Sequence, residues 1–107
     1  MLLRKYKRYR LEIPVIFSLK GAREIGEQQT GVTRDLSSRG AFIFTAAPPL
    51  LDANVKLKAF LPPSSSAAPP LRIQGEGQVV RVEPAHGGYR AGFAVAGERF
   101  VLRKWED

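Results

Sequence analysis

Apolar residues recur at every second position along much of this chain, which is the spacing of a β-strand with one buried face. In the first such segment, residues 11–18, the alternating apolar positions are Leu11, Ile13, Val15 and Phe17. Alternation or a compact apolar run predicts further strands at residues 32–34, 41–45, 54–61, 71–83 and 89–96. The pattern therefore indicates about six short strands.

Turn-forming residues separate these segments, and no long helical pattern lies between any two of them. The connections include AAPPLLDA (residues 46–53), PPSSSAAPP (62–70) and PAHGG (84–88). Parallel strands need a long crossover, so these connections favour antiparallel pairing in a barrel or a small sandwich. A closed barrel would leave no unpaired edge in so small a sheet.

Three local features modify this pattern. Pro14 has no N–H to donate, which predicts that the first strand lies at an edge or carries a bulge. Gly75 and Gly77 predict a bend or bulge within residues 71–83. Residues 97–107 have helical spacing of their larger side chains, which predicts a short C-terminal helix. These side chains are Phe100, Val101, Lys104 and Trp105.

Size and composition limit what the chain can be. Its 107 residues are enough for one hydrophobic core and too few for two domains. Hydrophobic residues make up 44% and charged residues 25%, as in soluble globular proteins. The chain has no cysteine, which excludes disulfides and thiolate metal sites. Because no apolar run could span a bilayer and the first residues do not resemble a secretory signal, we expect a cytoplasmic protein.

The positive charge is concentrated at the start of the chain. The formal net charge is +7, and five of the 17 basic residues lie in residues 1–10, hereafter the arm. The other 12 basic residues face 10 acidic ones, so the remaining chain is close to neutral. We therefore divide the chain into a basic arm (1–10) and a β-domain (11–107). Charge confined in this way predicts a local anionic partner rather than a long polyanion.

The chain contains no combination of residues typical of a catalytic site. Its one histidine, His86, lies in the Gly-rich turn at residues 84–88 and is best interpreted as a solvated turn residue. Without cysteine or a second histidine, a transition-metal site is not expected. The GEG at residues 75–77 is not a phosphate-binding loop, because no helix follows it. We expect a protein that is not an enzyme and has no catalytic residues, metal or cofactor.

Two short motifs remain. Arg4-x-x-x-Arg8 lies in the arm, and by itself it indicates only a basic tail. Asp35-x-Ser37-x-x-Gly40 has the composition of a tight turn, since Asp and Ser side chains bond nearby amides and glycine adopts positive φ. Each motif alone is weak evidence for a binding site.

Together and in this order, the two motifs strongly resemble a PilZ domain. The resemblance extends to DLSSRGAFI, in which the turn runs into an apolar strand, and to EGQVVRVEPAHGGYRAGFAV, which is similar to the family's late hairpin. It covers nearly the whole chain. The loop at residues 62–70 is longer than the family needs, and the C-terminus is short for the family's closing helix. The resemblance implies an all-β, six-stranded antiparallel barrel that binds the bacterial second messenger cyclic di-GMP.

The motif residues suit the ligand that this resemblance implies. Arginine matches the O6 and N7 acceptors of guanine bidentately and also binds phosphate, so Arg4 and Arg8 are the expected partners of both groups. The Asp35 carboxylate can accept from N1–H and N2–H₂ on the other edge of guanine, a pair of donors that adenine lacks. Ser37 can donate to a phosphate oxygen, and Gly40 places no side chain in the way of the ligand.

Other basic and aromatic residues are weaker candidates for ligand contacts. Lys5 would mainly steer the anion towards the site, because an ammonium group does not replace the arginine fork. Trp105 could stack on a base, although a single Trp in a terminal helix is more often a core residue. The weaker candidates are Lys5, Arg10, Arg34, Arg39, Arg81 and Trp105.

The function predicted from these features is that of a cyclic di-GMP receptor whose flexible arm becomes ordered on ligand binding and that signals to a downstream protein. One alternative is a small barrel that binds single-stranded nucleic acid, which would need exposed aromatic residues. Another is a PilZ-like adaptor that binds only protein. The sequence does not identify the partner. The resemblance implies that the residue just before the first motif arginine bears on the number of bound ligand molecules. Leu3 at this position adds no charge for a second molecule, which favours one.

Overall fold

The fold was analysed in a computed structural model, which describes residues 12–20, 28–61, 71–88, 90–97 and 100–104. These residues form seven strands and the turns between them. The strands are β1 (Pro14–Leu19), β2 (Gln29–Ser37), β3 (Gly40–Phe44), β4 (Asn54–Leu61), β5 (Leu71–Glu83), β6 (Gly92–Ala96) and β7 (Phe100–Lys104). Within these ranges there is no helix of the length and apolar character that crossing a bilayer requires.

Six of the strands close into an antiparallel barrel. Their order is β4-β1-β2-β3-β6-β5, and β5 pairs with β4 to complete the ring. All pairings are antiparallel. The six-stranded barrel expected from the sequence is therefore confirmed, and β7 is an additional strand that pairs with β5. In this ring β3 and β4 lie on opposite sides of the barrel.

The core lies inside the ring and is formed by the alternate positions that the sequence pattern indicated. In β4, buried and exposed residues alternate from Asn54 to Ala59. Phe17 and Phe93 meet edge to face in the interior, with ring centroids 4.9 Å apart. Burial of each such side chain contributes about 1.5–3 kcal/mol, which makes this core the main source of stability. Its other members include Val15, Leu36, Ile43, Val55, Leu57, Val79, Val95 and Phe100.

The expectation that Pro14 marks an edge or bulged strand is wrong. Strand β1 lies between β2 and β4, and its register with both is regular. Pro14 is the first residue of β1. A proline at that position does not interrupt a ladder, so the strand can be central in spite of it.

Strand β2 is longer than the predicted segment 32–34. It runs over nine residues and contains a β-bulge between Thr33 and Asp35. The prediction fell short because exposed polar residues at consecutive positions, such as Gln29 and Thr30, hide the alternation. The backbone hydrogen bonds of β1 and β3 extend the strand regardless of those side chains.

Strand β5 also carries a bulge, but not where the glycines predicted it. The register shifts between Val79 and Arg81, beyond Gly75 and Gly77. Residues 71–78 of β5 pair with β4, whereas residues 78–83 pair with β6. The bulge thus follows directly after Gln78, where pairing with β4 ends on one edge of β5 and pairing with β6 begins on the other. The local sequence does not contain that information.

The predicted C-terminal helix is also wrong for residues 100–104, which form strand β7. This strand pairs with residues 71–75 of β5, the part of β5 that β6 does not reach. Phe100 is buried in the core, and its N–H donates to the carbonyl of Ser38 at 3.2 Å. The open edge of β5 supplies hydrogen bonds that outweigh the helical spacing of so short a segment. Residues 105–107, including Trp105, lie outside the described residues.

Candidate functional site

The Asp35-x-Ser37-x-x-Gly40 motif spans the connection between β2 and β3. Asp35 and Ser37 belong to β2, and Gly40 is the first residue of β3. The Ser37 hydroxyl accepts from the backbone N–H of Arg39 at 3.2 Å and lies 3.4 Å from the carbonyl of Gly40, to which it donates. The predicted tight turn is therefore present, but it is confined to Ser38 and Arg39.

Gly40 is required for a different reason from the one predicted. It is not among the described residues with positive φ, which are Asp52, Gly87 and Gly88. Instead, a Cβ atom at Gly40 would lie 2.4 Å from the carbonyl oxygen of Val95 in β6. Glycine is therefore needed here for the close approach of β3 to β6, beside the motif turn.

The bulge in β2 places Arg34 and Asp35 together on the outer face of the barrel. Thr33 pairs with Ile43 and Asp35 pairs with Phe42, so Arg34 is the extra residue. The Arg34 Nε donates to Asp35 Oδ2 at 3.0 Å, and Arg34 Cζ lies 3.9 Å from the centroid of the Phe42 ring. Only 11% of the Asp35 side chain is exposed, compared with 38% for Arg34.

The bulge in β5 adds a second arginine at the same level of the barrel. Phe42 pairs with Ala94 of β6, and Ala94 pairs with Arg81 of β5. The four strands therefore place Asp35, Phe42, Ala94 and Arg81 in one row. Arg81 Cζ lies 5.6 Å from the Phe42 centroid, and Arg81 Nε is 2.9 Å from Glu83 Oε2. Two arginines, from strands on the two sides of β3, thus lie near the buried ring of Phe42.

An open cavity of about 610 Å³ adjoins this row. Arg34 and Arg90 both line it, and Arg90 Cζ lies 4.2 Å from the centroid of Phe44. The volume falls in the range of small-molecule sites, which are mostly apolar with a few polar groups. The remaining lining residues are Phe44, Glu83, Pro84, His86 and Gly88.

The first described residues, Glu12 and Ile13, contact β2 and Arg90. Ile13 N–H donates to Thr33 Oγ1 at 3.0 Å, and Thr33 N–H donates to the Ile13 carbonyl at 2.9 Å. Glu12 forms an ion pair with Arg90, in which Glu12 Oε1 lies 3.5 Å from Arg90 Nη1. Ile13 is thereby bonded to Thr33, two residues before Asp35 in β2.

The barrel part of the site is close to electrically neutral. Three of its described arginines form ion pairs with carboxylates. The pairs are Arg34 with Asp35, Arg81 with Glu83, and Arg90 with Glu12. Positive charge for an anionic ligand would therefore come mainly from the arm, which carries five basic residues and no acidic one.

The structure brings several of the predicted residues together and leaves others outside its described part. Asp35, Ser37, Gly40, Arg34 and Arg81 converge on one outer face. Arg39 lies in the motif turn, where its carbonyl accepts from Gly97 N–H at 2.9 Å. The predicted residues that fall outside the described ranges are Arg4, Lys5, Arg8, Arg10 and Trp105.

Three residues of this face were missed by the sequence prediction. Phe42 and Phe44 alternate with Ala41 and Ile43, so period two already placed them on the opposite face from the core positions. That signal could have found them. Arg90 had no comparable signal, because a single arginine in a loop is common. Only its contacts with Glu12 and with the Phe44 ring show that it belongs to this face.

The Asp35-x-Ser37-x-x-Gly40 motif now has a defined location on a six-stranded barrel, and a family comparison decides what that barrel is. The family model described as PilZ domain matches residues 2–101. The chain belongs to the PilZ domain family. PilZ domains generally bind cyclic di-GMP, and they are binding or receptor domains rather than enzymes. Comparison of this PilZ domain with curated proteins gave no match.

Proposed function

We propose that this PilZ domain is a cyclic di-GMP receptor that binds its ligand between the arm and the outer face formed by β2, β3, β6 and β5. The observation that carries the proposal is the row of Asp35, Phe42 and Arg81 next to the motif turn. A guanine-reading carboxylate, two guanidinium groups and a hydroxyl lie there within one face. The barrel contributes shape and hydrogen bonds, and the arm contributes net positive charge.

The chemistry of cyclic di-GMP divides among these groups. The Asp35 carboxylate accepts from guanine N1–H and N2–H₂, and the Ser37 hydroxyl donates to a phosphate oxygen. Arg4 and Arg8 bind guanine O6 and N7 and the phosphates through their forked donors. Further basic residues make secondary contacts with the anionic ligand. They are Lys5 and Arg10 in the arm and Arg39 and Arg81 on the barrel.

Calorimetric titration with cyclic di-GMP tests the site. Arg8→Ala and Asp35→Ala should each weaken binding by about 2 kcal/mol or more, or roughly 30-fold, because each removes charge-assisted hydrogen bonds. Lys58→Ala is the matched control, since Lys58 is an exposed cation on β4, across the barrel from β3. Unchanged affinity in both site variants would refute the assignment.

Ligand binding is proposed to order the arm and to present a new face to a downstream protein. The arm has five like charges in ten residues and no acidic residue to offset them, so a dianion that bridges it to the barrel would relieve the repulsion that opposes its ordering. Hydrogen exchange of residues 2–10 should slow when one equivalent of cyclic di-GMP is added. Equal exchange with and without the ligand would contradict this step.

The alternative function, binding of single-stranded nucleic acid, has less support from this surface. Phe17, Phe42 and Phe93 are buried, so among the described residues only Phe44 and Phe60 are partly exposed aromatic side chains. Base stacking on exposed aromatics is the main attraction in such proteins. A steep fall of oligonucleotide affinity with salt, without saturable binding of cyclic di-GMP, would favour that function. No binding of either ligand would favour a protein-only adaptor.

A further inference from the structure

We propose that Arg34 is a positioning residue that determines the preference of the site for guanine over adenine, by fixing the orientation of the Asp35 carboxylate. The inference rests on the proposed function and adds a role to a residue outside both motifs. Three observations carry it: the bulge that aligns Arg34 with Asp35, the hydrogen bond between them, and the ring of Phe42 beneath the guanidinium.

The bulge makes the pairing of Arg34 with Asp35 available. In a regular strand neighbouring side chains point to opposite faces, so Arg34 would be directed into the barrel if Asp35 pointed outwards. Because both residues oppose Phe42, both side chains reach the outer face. The irregularity thus brings a guanidinium within hydrogen-bonding distance of the carboxylate that is proposed to read guanine.

The hydrogen bond fixes a torsion that is otherwise soft. The terminal torsion of aspartate has a broad energy minimum, so a carboxylate without support can turn its plane away from a ligand. Arg34 Nε holds Oδ2 at 3.0 Å, which selects one plane. One donor occupies only part of the accepting capacity of a carboxylate, so this bond is compatible with accepting the two guanine donors.

Phe42 holds the arginine in place. Its ring is fully buried, and Arg34 Cζ lies 3.9 Å from the ring centroid. A planar guanidinium on an aromatic face gains both dispersion and cation–π attraction, which a lysine ammonium cannot reproduce with the same hydrogen-bond geometry. The ring, the guanidinium and the carboxylate therefore form one rigid support for base recognition.

Arg81 provides a matched comparison on the same ring. It lies 5.6 Å from the Phe42 centroid and pairs with Glu83 at 2.9 Å. Loss of Arg81 removes the same charge from the same face without removing the hydrogen bond from Arg34 to Asp35. The two arginines should therefore differ in their effect on selectivity, although both affect the attraction for an anion.

The experiment measures the affinities of the full chain for cyclic di-GMP and cyclic di-AMP by calorimetry. The variants are Arg34→Met, Arg34→Lys and Arg81→Met, each checked for its melting temperature. Arg34→Met should lower the ratio of the two affinities about tenfold or more, since a well-made pair of base-edge bonds supplies discrimination of that size. Arg34→Lys should not restore the ratio, and Arg81→Met should weaken both ligands while keeping it.

The possible failures are distinguishable. An unchanged ratio in Arg34→Met, or a ratio restored by Arg34→Lys, would overturn the positioning role while leaving the receptor function intact. Tighter binding of cyclic di-GMP to Arg34→Met would also overturn it, because it would mean that Arg34 competes with guanine for Asp35. If Arg34→Met does not fold, the ratio in Arg34→Lys decides alone. Absence of binding to the unmodified chain would refute the proposed function, and this inference with it.

Discussion

The hydrogen bond between Thr33 and Ile13 is a buried contact that joins the first described residues to β2, and its removal gives a sharp test. Thr33 is fully buried, and its Oγ1 accepts from the N–H of Ile13 at 3.0 Å. Thr33→Val keeps the shape of the side chain but replaces the acceptor with a methyl group. The Ile13 N–H would then lose this partner in a place that water does not reach.

The expected cost follows from two opposing terms. A buried donor without a partner costs about 1–3 kcal/mol. The added methyl group contributes up to about 0.8 kcal/mol of apolar burial in the opposite direction. The net loss in the free energy of unfolding should be about 1–2 kcal/mol, which corresponds to a fall in Tm of roughly 5–10 °C for a domain of this size.

Equilibrium urea unfolding followed by circular dichroism would measure this loss. Thr45→Val is the matched control, because the Thr45 hydroxyl donates to the Thr30 carbonyl at 3.1 Å in an exposed position where water can substitute. That variant should stay within about 0.5 kcal/mol of the unmodified chain. Equal stabilities of the two variants would refute the view that burial gives the Thr33 bond its importance.

Two further substitutions test the packing of the barrel. Gly40→Ala should lower the free energy of unfolding by about 1–3 kcal/mol, because the new Cβ would lie 2.4 Å from the Val95 carbonyl oxygen. Gly87→Asn, at φ 53° with open space around it, should have little effect, and equal losses at both positions would exclude the steric explanation. Leu57→Ala, with 2% of the residue exposed, should cost about 2–5 kcal/mol, measured by urea unfolding. Leu50→Ala, at 82% exposure, should cost less than about 0.5 kcal/mol, and a comparable loss there would place Leu50 in a contact that the barrel does not explain.

The site was predictable from the sequence to the extent that its signals are local. Asp35, Ser37 and Gly40 are close in the chain, and their turn follows from their own side chains and spacing. The surroundings of that turn were not predictable in the same way. Phe42 becomes the support of two arginines only because β2 and β5 each carry a bulge at the level of that ring.

The sequence by itself determined the number and approximate positions of the barrel strands, the division between a basic arm and a nearly neutral domain, and the two motifs. Alternation of apolar residues is a local property, because each strand must turn one face towards a core whatever its neighbours are. Only the tertiary structure decided the strand order, the central position of β1 despite Pro14, both bulges and strand β7. They depend on which backbone groups lie opposite one another, and hydrogen bonds between distant segments decide that after the chain has closed into a ring.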